Sequence, residues 1–498
     1  VSELPKGWSE ACFDEVLESI SNGISNKQNQ EQSGIPVSRI ETIAKEKFDF
    51  SKIGYVDGFD EEKLPKYRIN KKDILFSHIN SPIHLGKTAI FNSDKELFHG
   101  TNLLRLVVNN SLYKPELFNY YCKFYRAIGG FVSIAQHAVN QSSLNQKKLK
   151  ACTLPLAPLA EQKRIVEKLD QVLAQVDTIK ARLDDIPAIL KRFRQSVLAA
   201  AVSGKLTEEW RVRETLINAV DEIAETFSKK KGRLKLRGNK FSFNDISLID
   251  LPTSWCWIEN YKLARDSSNA ICAGPFGTIF KAKDFRDEGV PIIFLRHVKE
   301  IGFNQRKPNF MDREVWKAQH QDYSVYGGEL LVTKLGDPPG ECCIYPENFG
   351  ISMVTPDVLK MDVDELSANK KYLMFYFNSP MSTEIIEKLA FGVTRLRIDI
   401  AMFKGFPVPL PSLKEQAEIV RLVDQYFAFA DTIEKQVQKA QQRVDKLTQS
   451  ILAKAFRGEL VPQDPNDEPA DQLLKRIAAA RAESEALAKA AKKVGKKK

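Results

Sequence analysis

Residues 190–206 read LKRFRQSVLAAAVSGKL, and residues 444–460 read VDKLTQSILAKAFRGEL. Gln195-Ser196-Val197-Leu198-Ala199 matches Gln449-Ser450-Ile451-Leu452-Ala453, and Gly204 matches Gly458, at a constant separation of 254 residues. Working outward, the same separation joins Asp177-Thr178-Ile179 to Asp431-Thr432-Ile433 and Leu159-Ala160-Glu161-Gln162 to Leu413-Lys414-Glu415-Gln416. Farther out, Leu4-Pro5-Lys6-Gly7-Trp8 recurs as Leu251-Pro252-Thr253-Ser254-Trp255, and Gly34-Ile35-Pro36-Val37 as Gly289-Val290-Pro291-Ile292. One fixed offset held over about 45 residues is beyond chance. A period this long excludes a solenoid. The chain is two copies of one large module.

Each module ends in a long helix. Apolar residues fall at Ile165, Leu169, Val172, Val176, Ile179, Leu183, Ile186, Leu190, Phe193 and Val197. In the second copy they fall at Ile419, Val423, Tyr426, Ala430, Ile433, Val437, Ala440, Val444, Leu447 and Ile451. A 4-3 spacing makes a coiled-coil seam. Pro411, then Ser412 with Glu415 three residues on, marks the start of the second helix with a capping box. Gly204 and Gly458 are stop signals. Pro187, whose counterpart is Gln441, predicts a kink or short break near Asp184–Ala188. The cheapest partner for each seam is the other helix, packed antiparallel, with one globule at each end. The predicted fold class is α+β: two mixed α/β globules separated by two long antiparallel coiled-coil helices in a pseudo-two-fold repeat. The boundaries read as globule 1–157, helical region 158–206, basic linker 207–250, globule 251–411, helical region 412–460 and a basic, partly disordered or helical tail 461–498.

The 498 residues carry a formal charge of +10 with 43% hydrophobic content, enough for real cores. Residues 229–240 hold +7 and residues 471–498 hold +6, so the remainder nets −3. The charge therefore sits in segments that read as solvated linker and tail, and the body is not a basic globule. No apolar run reaches membrane-spanning length, and the first residues do not read as a signal peptide. Seven cysteines without a CxxC predict reduced thiols in a cytoplasm.

Motifs for catalysis fail one by one. Gly86-Lys87-Thr88 resembles the end of a P-loop, but Ser81 and Pro82 stand where the cradle begins. Asp337-Pro338-Pro339-Gly340 has Gly340 where a base-stacking aromatic would be needed, and reads as a turn. The six histidines form no metal or triad spacing. What remains is a matched pair of polar loops in each module. Ser77, His78, Asn80, His84 and Lys87 follow the strand at Ile74, and Asn140, Gln141, Ser142, Asn145 and Lys147 precede the first helix. In the second module, Thr333 and Lys334 follow the strand at Leu330, Thr394, Arg395 and Arg397 precede the second helix, and Arg296 is a further candidate. Asn, Gln and Arg pair with base edges, while Lys, Ser and Thr suit phosphates. Different loops on a repeated scaffold point to two different targets at a fixed distance.

Pro155-Leu156-Ala157-Pro158-Leu159-Ala160-Glu161-Gln162, Leu190–Gln195 and Gly204-Lys205-Leu206-Thr207, with Lys414–Val420 and Gln449–Leu460 in the second copy, resemble the specificity subunit of type I restriction-modification systems. The phrase ILAKAFRGEL is most similar to the enteric subfamily. The resemblance implies a non-catalytic subunit in which each recognition domain reads one half of a bipartite site in double-stranded DNA. It implies helices that set the spacer and dock two modification subunits, which bind S-adenosylmethionine and methylate adenine. Two restriction subunits would add ATP- and Mg-dependent translocation and cleavage. No cofactor and no metal is expected in this chain. A stand-alone DNA-binding regulator and a coiled-coil interaction scaffold remain the alternatives.

Overall fold

The computed structural model describes residues 4–29, 31–138, 141–214, 217–238, 241–276, 280–300, 302–306, 309–392 and 395–495, with backbone only for residues 141 and 484–495. The chain divides into two compact units, Val1–Asp184 with Gln438–Lys498, and Asp185–Val437.

In the first unit, a four-stranded antiparallel sheet runs in the order Leu17–Asn22, Leu103–Val108, Ile74–Ser77, Thr88–Ile90. Ile74 and Phe76 pack into the core shared with the long helices, while Leu75 packs into a separate cluster with Ile43, Ala89 and Phe91. A strand covered on both faces needs no polar alternation, so it reads as a continuous apolar run. A ribbon pairing Ser9–Cys12 with Thr153–Leu156 joins the two ends of the globular part.

The second unit repeats this plan. Its sheet runs Ile271–Ala273, Val358–Met361, Leu330–Thr333, Cys342–Ile344. Leu330 and Val332 face the core shared with the helices, and Leu331 faces a separate cluster. Cys256–Glu259 pairs with Pro407–Leu410 as the closing ribbon. An added five-stranded sheet, Phe285–Arg286, Asn309–Met311, Val290–Ile293, Ser352–Val354, Ser324–Val325, distinguishes this unit.

Both sheets bury an ion pair at the same register. Arg105, opposite Leu75, lies 3.9 Å from Asp73, and Lys360, opposite Leu331, lies 3.1 Å from Glu329. Burial raises the Glu329 carboxyl, and the Lys360 ammonium opposes that shift.

The long helices are Leu159–Val202 and Leu413–Phe456. Within the first unit, Lys180 meets Asp445 at 2.8 Å and Gln441 donates to Asp184 at 2.8 Å. Within the second, Arg194 meets Asp431 at 2.7 Å and Glu434 at 3.0 Å. In the first unit rising numbers on one helix meet falling numbers on the other, so the helices run antiparallel there. Ile165, Leu169, Val176, Ile419, Val423 and Val437 are buried, and Val172, Leu183, Ile433 and Val444 half-buried. Ile179 (47%), Tyr426 (40%) and Leu447 (48%) are exposed, contrary to the seam expectation. A strict seven-residue repeat drifts by about 20° per heptad around a 3.6-residue helix, so some stripe positions leave the facing surface.

Of the kink or short break expected near Pro187, the break does not occur: the first helix runs through it. Pro187 is exposed, where water can serve the carbonyl that the missing N–H leaves free. The capping box at the second helix is half formed. Ser412 Oγ accepts from the Glu415 N–H at 3.4 Å, but the Glu415 carboxylate accepts from Thr207 Oγ at 2.7 Å instead.

The basic linker is not a solvated strand of charge. Leu234 and Ile246 enter the second unit's core, Lys230 pairs with Asp364 at 3.0 Å, and the backbone N–H groups of Lys231, Arg233 and Leu234 donate to the Asp266 carboxylate. The tail forms a helix, Ala470–Gly495, whose Ala470 and Leu473 are buried in the first unit and whose Arg481 donates to the carbonyls of Asp14 and Leu17. Buried apolar anchors among the charges outweigh the tendency of a basic run to stay solvated.

Two outcomes test this packing. Lys360→Met should destabilise the protein by about 3–5 kcal/mol, because it leaves a buried carboxylate unpaired. Adding Glu329→Leu should recover most of that loss in thermal unfolding. Burial also holds the imidazoles of His99 and His297 down at about 4. These groups charge more readily in the unfolded chain, so stability should be full above pH about 6.5 and fall toward pH 4, by at most about 3 kcal/mol for each histidine. In pH-dependent denaturation, His99→Gln should flatten that decline.

Candidate nucleic-acid interface

Each long helix begins with a buried Glu-Gln pair that anchors it to the globular part. Gln162 Nε2 donates to the carbonyls of Leu112 at 3.0 Å and Ala157 at 2.9 Å, and its Oε1 accepts from the Lys114 N–H at 2.8 Å. Gln416 does the same with the Pro411 carbonyl at 2.9 Å and the Asn369 N–H at 2.7 Å. Glu161 accepts from Trp8 Nε1 at 3.0 Å. The helix ends are fixed as well. Gly204 and Gly458 adopt φ of +79° and +73°, and a Cβ there would come within 2.5 Å of Pro252 and Pro5 respectively.

On this frame the two polar loops of each module meet. In the first unit, Ile79–Asn80 pairs with Gln141–Ser143, Asn80 opposite Ser142, and Gln136–Ala138 adds a third strand. The Leu144 N–H donates to the His78 carbonyl at 2.8 Å, and Asn145 caps the helix Gln146–Lys150. In the second unit, Leu335–Gly336 pairs with Leu396–Arg397 in the same manner. Segments some 60 residues apart in sequence thus form one small ribbon per module.

The side chains sort into three groups. Ser77 (1%), Ser142 (1%) and Thr333 (3%) are buried, which corrects their reading as contacts. Ser142 Oγ bonds His137 Nδ1 at 2.8 Å, Ser77 Oγ accepts from Asn80 Nδ2 at 3.2 Å, and Thr333 Oγ accepts from the Gly340 N–H at 3.0 Å. These hydroxyls hold the ribbons in place. His78 is half-buried, and burial lowers its imidazole below the usual range.

The second group offers surface. Asn80, His84 and Lys87 line one shallow pocket with Glu41 and Ala44, where Lys87 Nζ donates to the Ala44 carbonyl at 2.5 Å. Asn145 and Lys147 are exposed, as are Arg395 and Arg397. Lys334 lies 4.3 Å from the centre of the Phe276 ring. Burial lowers its ammonium, opposed by Asp357 and Asp399. Arg296 is exposed over the Phe294 ring at 4.3 Å, on the turn after Val290–Ile293 rather than on the ribbon. Asn140 and Thr394 form the third group, with the Gln141 side chain, and lie outside the described residues.

The ribbons also present residues absent from the sequence-based set. Gln136 and His137 lie on the third strand of the first, and Phe391, 48% exposed, lies beside Arg397 in the second. Gln136 and His137 precede the polar stretch that the sequence marks and Phe391 is apolar, so their position became evident only from strand register. Among the described residues no cluster of three or more His, Cys, Asp or Glu is placed to hold a metal ion, and no helix is long and apolar enough to cross a membrane.

The family model of the type I restriction modification DNA specificity domain matches residues 5–188 and 356–442, more than half of the chain. The chain belongs to this family of specificity subunits. The type I restriction enzyme EcoBI specificity subunit of Escherichia coli is 31% identical over 497 residues, covering 96% of this chain and 93% of that protein. The EcoKI specificity subunit of Escherichia coli strain K12 is 30% identical over 517 residues, covering 97% of each. Among solved structures, a chain of a type I restriction-modification assembly superimposes with a TM-score of 0.63 at 16% identity, over 92% of this chain and 100% of that one. The HsdS subunit from Thermoanaerobacter tengcongensis gives a TM-score of 0.50 at 16% identity, over 92% and 98%. The repeated α+β architecture with two long helices is thus the fold of type I specificity subunits.

The sorting of this specificity subunit's side chains predicts two kinds of defect. Lys147→Ala should weaken binding to all duplexes alike and reduce the salt slope by about one, read from affinity against salt concentration. Thr333→Val should lower thermal stability and leave base preference unchanged.

Proposed function

We propose that the two globular parts each read one half of a bipartite sequence in double-stranded DNA, and that this subunit contributes recognition rather than chemistry. The observation that carries this is the ribbon. Both modules build it at the same register, yet the positions Asn80 and Ser143 of one are Gly336 and Arg397 of the other. Conserving the support while changing the presented side chains is how one scaffold addresses two targets. The phosphate grip is modest for a DNA-binding protein, since the chain outside its two basic segments nets −3. Much of it then falls to partners.

In this reading the helix length sets the unread spacer, and the outer helix faces carry two modification subunits. S-adenosylmethionine would act on those subunits, and ATP and Mg on two restriction subunits. Adenine methylation by the assembly is then the activity whose sequence preference this chain decides.

Exchanging residues 1–157 for the equivalent part of another family member should change one half-site and leave the other and the spacer intact. Lengthening both helices by the same number of turns should change the spacer alone. Sequencing of methylated genomic DNA reads half-sites and spacer together. A change in both half-sites, or in neither, would refute the assignment.

A further inference from the structure

In the second module's ribbon, Arg397 sits between two neighbours. Leu335 is its partner on one side. On the other, the Phe391 N–H donates to the Arg397 carbonyl at 3.1 Å, and the Arg397 N–H donates to the Phe391 carbonyl at 2.9 Å. Two residues that exchange both backbone bonds stand directly opposite, with their side chains on one face and their Cα atoms about 5.5 Å apart. Phe391 is 48% exposed and Arg397 is exposed, so a large apolar ring and a guanidinium are presented side by side. Beside Phe391, Gly392 has a φ of +122°, and a Cβ there would fall 2.4 Å from the Arg395 carbonyl oxygen. The first module has Gln136 opposite Ser143 at the corresponding register, so the arrangement is specific to the second half.

A singly exposed apolar residue is ordinary on a protein surface, and what marks Phe391 is its place directly opposite an exposed arginine. A guanidinium pairs bidentately with guanine O6 and N7, and a phenyl ring contacts the thymine 5-methyl group. Both features lie in the major groove. Successive base pairs rise by about 3.4 Å, within reach of two neighbouring long side chains. We infer that Phe391 and Arg397 act as one reader, Arg397 on a guanine and Phe391 on the methyl of a thymine at the next base pair. The second half-site then contains a G·C pair adjacent to a T·A pair. Phe391 is a specificity-determining residue on this account, and the inference rests on the DNA-reading role proposed above.

Site selection from randomised duplexes, with the full chain in complex with its modification subunits, tests it. Arg397→Ala should relax one G·C position by about 10- to 100-fold. Phe391→Ala should relax the adjacent T·A position, and Phe391→Leu, which keeps apolar contact, should restore part of it. Replacing that thymidine by deoxyuridine removes only the methyl group. This should weaken the wild type about fourfold, the value of one buried methyl, and leave Phe391→Ala unaffected. If Arg397→Ala relaxes a position but Phe391→Ala selects the wild-type sequence, or weakens all sequences alike, or if deoxyuridine binds as thymidine does, the paired reading is overturned while half-site reading stands. If the wild-type complex selects no sequence, the DNA-reading role itself fails, and the inference with it.

Discussion

The interaction on which the rest of the structure depends is the buried glutamine at the second turn of each long helix. Gln162 and Gln416 spend their amides on backbone groups of the globular part, replacing hydrogen bonds that those groups would otherwise make with water. A buried amide with both ends satisfied is costly to misplace, since any shift leaves unpaired polar groups in the core. The globular part and its helix are thereby one rigid piece within each unit. Without that lock, ribbon side chains would have no fixed orientation relative to the helix.

The sheets extend the same logic. Their central strands are covered on both faces, and a buried ion pair, Asp73 with Arg105 or Glu329 with Lys360, occupies the same place in each. Buried pairs of this kind contribute little net stability, but they penalise a register slip heavily. Register matters here because the polar ribbon grows directly out of the central strand: Ile79 lies two residues beyond Ser77, and Leu335 two beyond Thr333. Fixing the strand fixes which residues the ribbon presents. Ser77, Ser142 and Thr333 serve that end, with hydroxyls turned inward.

Much of this was legible in the chain. The duplication, the two long helices and their ends follow from matching words at one offset and from a 4-3 apolar stripe. The polar loops could be located because two copies could be compared. Burial could not be read for Ser77, Ser142 or Thr333, since a hydroxyl suits a phosphate and a backbone N–H equally well. Phe391 escaped notice because apolar residues are normally assigned to cores, and only strand pairing sets it beside Arg397 on an exposed face. The basic linker misled in the opposite sense. Its lysines and arginines dominate the composition, while Leu234 and Ile246 decide where it sits.

By itself the sequence determined the repeat, the helical frame and the absence of recognisable catalytic motifs, because these are written in local spacing and residue type. Only the tertiary structure decided which loop residues share a ribbon, which hydroxyls point inward and which ring stands beside the arginine. The ribbons join segments some 60 residues apart, while the inward hydroxyls and the Phe391–Arg397 bridge depend on hydrogen bonds over three to seven residues, and residue type alone records neither.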